Sequence, residues 1–321
     1  MPVEDPNAEI ANQVRQFEGE VEALRGRARL DGPCSKIQAL QAAIAGLPGR
    51  VSQARAGGYV FEATLENQVE ELAQSWASSY TNLSQQMALQ GPDLEWSYNT
   101  LASEAQQLSQ MAAMNPSAAQ GALFQGRSTL ESFKMRVGAV EKSLTDQYGQ
   151  FESQVDPMVH LLDRIDWSLA QAAQAQFAWQ AGEAPIMAAK AQWLRGGKDE
   201  PEGVLYLTDQ RALFEQKQEI ATKKILFVAT QKQMVQQLLW QAPLGEVQNL
   251  TASKRGLFKN EDHLEITTAG AGLAHFHLRG QDCEQWYEMM ARVQAGGYAA
   301  DRVPGPSAPP PSAAPVAGTG G

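Results

Sequence analysis

The residues best suited to chemistry lie in one stretch near the C-terminal end of the chain. They are three histidines and a glutamate, side-chain types that bind Zn²⁺: His263, Glu265, His275 and His277. Two of the histidines are spaced i, i+2, which places them on one face of a β-strand. A solvated polar face has the same pattern. We favour that interpretation because the spacing alone does not gather four ligands around one ion, so no metal site is predicted.

A short basic loop just before these histidines is the candidate binding site. Its side chains of interest are Lys254, Arg255, Leu257, Phe258 and Lys259. Such a loop could insert its apolar pair into an interface while its cations contact anionic lipid headgroups or a protein partner. The other interpretation is a plain turn whose leucine and phenylalanine pack onto a sheet. The sequence leaves both open.

Motifs of catalysis are missing from the sequence. It contains no P-loop, no dinucleotide-binding glycine fingerprint, no nucleophile elbow, no HExxH helix and no EF-hand loop. Paired carboxylates such as Glu70-Glu71 lie in polar segments, where no pocket would tune them for acid–base work. We therefore predict that the chain is not an enzyme and that it needs no cofactor.

Charge and cysteine content limit the partners and the compartment. The formal net charge is −10, and residues 1–180 hold 12 Lys and Arg against 21 Asp and Glu. Such an acidic region repels nucleic acid, which is not expected as a partner. Cys34 and Cys283 form no metal-binding pair and are interpreted as reduced thiols. The first residues do not resemble a signal peptide, and no apolar run reaches about 20 residues, so we expect a soluble, cytoplasmic protein.

The first half of the chain is predicted to be helical. Apolar residues recur there in steps of three and four, which is the spacing of coiled coils. The longest series is Leu130, Phe133, Val137, Val140, Leu144, Tyr148, Phe151 and Val155. Turn and proline signals divide residues 1–182 into about six helices, near 6–30, 34–56, 60–89, 93–114, 117–155 and 157–182. We predict an elongated, antiparallel helical region whose stripe is either an internal core or a surface for self-association.

The second half changes to a period of two, which predicts strands from about Glu183. A first hairpin turns at Asp209-Gln210 and pairs Leu207 with Ala212 and Leu205 with Phe214. A second turns at residues 269–272. Its predicted pairs are Leu264 with Leu278, Ile266 with Phe276, Glu265 with His277 and Thr267 with His275.

A single helix follows the strands, and a polar tail follows the helix. Asp282 fits an N-cap with Gln285 completing a capping box. An apolar stripe of Cys283, Trp286, Tyr287, Met290 and Val293 would cover an open end of the sheet. The last residues, 297–321, are rich in Pro, Ala and Gly and are predicted to be disordered.

The second half also resembles GRAM domains, which belong to the pleckstrin-homology-like group. The resemblance is carried by Val204–Phe214, with apolar residues leading into Leu-Thr, then Arg, then an apolar pair ending in Phe, and by Trp286 in the closing helix. It implies a curved seven-stranded sheet at residues 183–296, a β-barrel or sandwich capped by a C-terminal helix. The chain departs from the pattern by inserting Gln216–Gln237, with an apparent extra strand at 225–228.

Taken together, these features predict an α+β protein of two domains and a tail. The predicted function is a scaffold or adaptor, with helices that bind a partner or self-associate and a pleckstrin-homology-like module that docks a protein. The alternative is a peripheral membrane protein, recruited weakly to anionic lipid by the same module.

Overall fold

The computed structural model describes residues 6–197, 200–225, 228–258 and 260–304. It is an α+β chain in which helices precede an antiparallel sheet and a C-terminal helix. The chain forms two compact units. The first combines residues 1–47 and 69–157, and the second combines residues 48–68 and 158–321.

Long helices form the first half. Their bounds are α1 Pro6–Glu22, α2 Arg25–Ala28, α3 Asp31–Ala56, α4 Leu65–Met114 and α5 Pro116–Ala173. The predicted stripes are largely buried within the single chain, among them Val14, Phe17 and Val21 of α1 and Leu130, Phe133 and Val137 of α5. The stripe is therefore an internal core and is not left open for self-association.

Two predicted helix breaks are wrong. Pro92 and Pro157 lie inside α4 and α5, so the predicted helices on either side of each proline form one longer helix, and Pro48 likewise lies inside α3. A proline in a helix interior costs about 3 kcal/mol because it removes a backbone hydrogen bond. Buried stripe residues on both sides, such as Leu47 and Val51 around Pro48, offset that loss.

Seven strands of the described residues form one antiparallel sheet. They are β1 Pro185–Trp193, β2 Glu202–Thr208, β3 Arg211–Ile225, β4 Val228–Pro243, β5 Val247–Arg255, β6 Glu261–Thr268 and β7 Gly272–Arg279. Their order across the sheet is β4-β3-β2-β1-β7-β6-β5. The predicted α+β order with a capping helix is confirmed, but the sheet does not close into a barrel, one of the two predicted forms, since β4 and β5 remain as its edges. A 3-10 turn, Leu244–Glu246, connects these two strands.

The two predicted hairpins differ in outcome. The first is confirmed, with Leu205 opposite Phe214 and Leu207 opposite Ala212. In the second, Leu264 pairs with Phe276, so its predicted register is wrong by two residues. The turn is tighter than expected because Thr268 pairs directly with Gly272, whose left-handed φ of 69° a glycine adopts without strain. A shift of two keeps every apolar residue on its predicted face.

The predicted insertion does not add a strand. Residues 216–237 lengthen β3 and β4 into one long hairpin whose ladder runs from Arg211 opposite Pro243 to Ile225 opposite Val228. Ile225 and Val228, the two ends of the segment predicted as a separate strand, pair with each other at the end of that ladder, and residues 226–227 lie outside the described part of the chain.

The inner face of the sheet carries the core that the alternation predicts. Leu205, Phe214, Leu264 and Phe276 are fully buried there. Helix α6, Cys283–Gln294, packs on β5, β6 and the 3-10 turn. The side chains that α6 buries against the sheet include Cys283, Trp286 and Met290.

The cap of α6 is only partly as predicted. Asp282 accepts a hydrogen bond from the Glu284 backbone N–H at 2.8 Å, which confirms the N-cap. Gln285 bonds Arg164 on α5 at 2.6 Å, and Tyr287 is exposed and not part of the stripe.

The outer face of β1–β3 is also covered, by chain that precedes the sheet. Ala175 and Phe177 pack with Ala188, Val204, Tyr206 and Leu213 in one buried cluster, and Trp167 and Trp179 lie against it. This packing joins the last part of α5 to the second compact unit, which includes residues 158–321.

The start of the predicted tail is also part of this unit. Residues 297–300 form α7, Gly297–Ala300, and the Val303 N–H donates to the Val60 carbonyl at 2.8 Å. Tyr298 is buried edge-to-face against Phe61, with ring centres 5.2 Å apart. The rest of the predicted tail, residues 305–321, lies outside the described residues.

Across the described residues, no helix combines the length and the apolar character that crossing a membrane requires.

Candidate functional site

The predicted binding loop forms the turn between β5 and β6, and residues 254–258 are called the tip loop from here on. Gly256 has a left-handed φ of 87°, and an added Cβ would lie 2.9 Å from Asn260 Oδ1, so the turn requires glycine. Leu257 is 98% exposed and Phe258 is 88% exposed. The interpretation in which these two side chains pack onto the sheet is therefore wrong. Lys259 lies outside the described residues.

The two described cations of the tip loop are already paired with carboxylates. Lys254 Nζ lies 2.9 Å from Asp282 Oδ2 and 3.9 Å from Asp262 Oδ1. Arg255 pairs with Glu265. The hydrogen bond from Lys254 lowers the pKa of the Asp282 carboxyl, and the same bond raises the pKa of the Lys254 ammonium.

Acidic side chains outnumber the cations around the tip loop. They are Glu261, Asp262, Glu265, Asp282 and Glu284. Glu261 and Asp262 pair with Arg255 and Lys254 across the β5–β6 ladder, while Glu284 acts on Lys254 electrostatically. The exposed apolar pair therefore projects from a surface that is negative in sum, even when Lys259 is counted as a third cation.

The three histidines form one cluster on the strand face next to the tip loop. His263 Nδ1 lies 3.0 Å from His275 Nε2, so one imidazole donates to the other. The rings of His263 and His277 stack with centres 5.0 Å apart and 13° between planes. The register pairs His263 with His277 and Glu265 with His275.

Burial and charge lower the basicity of this cluster. Desolvation, followed by the positive charge of Arg255, lowers the pKa of His275, and desolvation with His263 lowers the pKa of His277. Both therefore favour the neutral, uncharged form. The predicted polar face is thus partly buried, with His263 only 5% exposed.

Only one group in the described part of the chain gathers three potential metal ligands closely, and it is not the histidine cluster. It consists of Asp262, Asp282 and Cys283. Lys254 occupies the carboxylates of this group, and burial raises the pKa of the Cys283 thiol. The arrangement is that of a helix cap and an ion pair, and it explains these residues without a metal.

Sequence reasoning found the exposed apolar pair but missed the charges that surround it. The predicted loop begins at Lys254, so no partners on β6 were predicted for Lys254 and Arg255, although β5 extends to Arg255. Had the predicted strand 246–252 been continued to Arg255, the β5–β6 hairpin would have placed Lys254 opposite Asp262 and Arg255 opposite Glu261. That cross-strand complementarity was the available signal.

Comparisons with known proteins give a distant likeness. No family model matches the chain, and no curated protein sequence matches it. Among solved structures, a complex of the DH/PH domains of PDZ-RhoGEF with GTPγS-activated RhoA is 13% identical, covering 92% of this chain and 96% of that one, with a TM-score of 0.26. A DH/PH fragment of PDZRHOGEF with human RhoA is 11% identical with a TM-score of 0.28, covering 92% and 96%.

A third structure, the truncated linker-DH/PH domains of p115-RhoGEF, is 10% identical, covers 88% of this chain and 99% of that one, and has a TM-score of 0.22. These neighbours are exchange-factor fragments, and this finding overturns the prediction that the chain is not an enzyme. That prediction is withdrawn, while a likeness at these scores assigns no activity to this chain.

Proposed function

We propose that the chain is a protein-binding adaptor whose sheet unit docks a partner through the tip loop. The observation that carries the proposal is the near-complete exposure of Leu257 and Phe258. Two adjacent large apolar side chains held out at a turn are typical of anchor residues at interfaces, where they fill a pocket on the partner. The GRAM-type resemblance and the predicted division into helical region, module and tail are kept as parts of this proposal.

The charge around the tip loop favours a protein over an anionic membrane. Lys254 and Arg255 are neutralised by carboxylates, and the surplus of acid would be repelled by anionic headgroups. A partner that fits offers an apolar pocket with a basic rim, because opposite charge at the rim steers association.

The helical region contributes differently from the prediction. Its heptad stripes are buried within one chain, so self-association through those stripes is not part of the proposal. Its role would be to carry the sheet unit, and any partner of the helices would bind faces outside the stripes.

The proposal is tested by capture followed by direct binding. Full-length protein and the variant Leu257→Ser with Phe258→Ser are used as baits. A protein retained by the wild type and lost by the double variant is then purified and titrated. We expect its affinity to fall at least tenfold in the double variant, since each fully buried apolar side chain contributes about 1.5–3 kcal/mol.

The matched control is Leu273→Ser, because Leu273 is also exposed, at 62%, on the β6–β7 hairpin. It should bind like the wild type. If no captured protein distinguishes the double variant from this control, or if the purified protein binds both equally, the proposal fails. Sedimentation with anionic vesicles that only the double variant loses would favour the membrane alternative.

A further inference from the structure

A cleft on the outer face of the sheet is lined by cations, and it lies away from the tip loop. Its volume is about 500 Å³, within the range of small-molecule sites. Strands β1, β2, β3 and β7 and the last turn of α5 form its walls. The polar residues that line it are Lys190, Lys217, Arg279, Glu202, Gln171 and Gln174.

Two of the three cations in this cleft have no charged partner in the described part of the chain. Lys190 is exposed, and the described part of the chain gives its ammonium no hydrogen-bond or ion-pair partner. Lys217 Nζ is held by two neutral oxygens, Gln174 Oε1 at 2.7 Å and Gln171 Oε1 at 3.3 Å. Only Arg279 has a charged partner, Glu202, at 2.7 Å.

The strand register brings two of these cations side by side. Lys190 on β1 pairs directly with Arg279 on β7, and like charges directly opposite each other destabilise a sheet. Glu202 compensates Arg279, which leaves Lys190 without a counter-charge among the described residues.

Gly203 keeps the floor of the cleft free of a side chain. A Cβ at this position would come within 2.0 Å of the Glu215 carbonyl oxygen, because β2 and β3 approach each other closely there. Any side chain at this position would therefore clash with the backbone of β3, so the part of the cleft that Gly203 lines is backbone.

The charge balance indicates the class of ligand. Three cations and one carboxylate leave a net charge of +2, which the C-terminal end of α5 reduces by about half a unit. We propose that this cleft binds a terminal phosphate monoester. Such a group carries a charge of about −1.5 to −2 at pH 7 and presents three acceptor oxygens, which suits two ammonium groups and one guanidinium.

The same group occurs on small metabolites and on a lipid headgroup, and two probes separate these sources. Glycerol 3-phosphate tests the soluble form by NMR titration of the full-length protein. Vesicles containing phosphatidic acid test the lipid form by sedimentation, against phosphatidylserine vesicles of the same charge density. Binding of either phosphate monoester supports the site, and the arm in which it occurs identifies the source.

Three variants assign the binding to the cleft. Lys190→Gln and Lys217→Gln should each weaken it about tenfold, the loss expected for one charge-assisted hydrogen bond. Lys190→Arg, which keeps the charge, should bind nearly as the wild type does. Lys142→Gln, an exposed lysine on α5 paired with Asp146, is the control and should have no effect. The two Lys190 variants should melt as the wild type does, since Lys190 is exposed.

Protonation of the ligand gives a second readout. The second pKa of a phosphate monoester is about 6, so affinity should rise between about pH 5.5 and about pH 7.5 as the dianion forms. Saturable binding that Lys190→Gln weakens and Lys142→Gln does not would support the proposal. No saturable binding to either probe, or equal loss in the control variant, would overturn it.

Discussion

The inner and outer faces of the sheet are built from the same strands but are buried by different parts of the chain. The core of the inner face is apolar and is closed by α6, which follows the strands directly. The outer face is divided. One part is covered by α5 and the segment after it, while the rest carries the cationic cleft and the histidine cluster. Burial on the inner face is thus a local property of the module, and on the outer face it depends on the preceding helix.

The largest effect should come from removing the inner anchor. Trp286 is fully buried and its Nε1 donates to Gln281 Oε1 at 2.8 Å. Trp286→Ala should lower the free energy of unfolding by about 3–5 kcal/mol, measured by urea denaturation of the full-length protein. Tyr287→Ala, on the next and exposed residue, should change it by less than about 1 kcal/mol. Equal effects would mean that α6 does not close the inner face.

On the outer face, the largest loss of stability should come from disrupting a buried ion pair. Arg211 Nε and Nη2 each lie 2.9 Å from a Glu183 carboxylate oxygen, and Arg211 Nη2 also donates to the Ala178 carbonyl. Glu183→Gln should destabilise the protein by about 3 kcal/mol, because it leaves a buried guanidinium without a counter-charge. Replacing both residues, Glu183→Leu with Arg211→Met, should cost less than the sum of the single changes. An additive result would show that the pair is not coupled.

The two faces differ in how much of their burial could be predicted from the sequence. Alternation in β2 and β3 predicted the inner set, including the pairing of Leu205 with Phe214, since a period of two assigns that face uniquely. It could not predict that Val204, Tyr206 and Leu213 are buried as well. Their cover comes from α5 and the residues after it, and no local pattern in the strands records a distant helix.

The candidate site shows the same limit. The exposed pair Leu257 and Phe258 follows from a Gly-containing turn, which the sequence displays. The neutralisation of Lys254 depends on Asp282, 28 residues away and at the cap of another element. The cleft cations also come from separate strands, and only the register of β1 with β7 places Lys190 beside Arg279.

A smaller effect on stability should come from the histidine cluster, and it should appear as a pH dependence. The pKa values of His275 and His277 are lowered in the folded state, so the unfolded chain binds more protons below its ordinary histidine pKa of about 6.5. Stability should therefore be complete above that value and fall as the pH decreases through it. The titratable and charged groups that act on His275 are His263, Glu200, Arg255 and Glu265. Those that act on His277 are His263, Glu261, Asp262 and Arg279.

His277→Gln should flatten this pH dependence between about pH 7 and about pH 5, measured by thermal melting. His160→Gln, on an exposed histidine of α5, should leave the profile as it is in the wild type. A profile that stays equally steep without His277 would contradict the assignment.

The smallest effect on stability should come from the tip loop itself. Because Leu257 and Phe258 contact little of their own chain, replacing both with serine should change the free energy of unfolding by less than about 0.5 kcal/mol. Urea denaturation tests this, with Trp286→Ala as the positive control. A loss above about 1 kcal/mol would mean that the pair has a structural role in the sheet unit.

The most direct test of the adaptor proposal is whether the tip loop contacts an anionic membrane. Full-length protein is sedimented with phosphatidylserine vesicles that carry no phosphate monoester, at low salt, where electrostatic attraction is strongest. The carboxylates around Lys254 and Arg255 predict that the protein stays in the supernatant, with or without the Leu257→Ser, Phe258→Ser change. Wild-type sedimentation that this double change abolishes would contradict the proposal and assign the tip loop to a membrane.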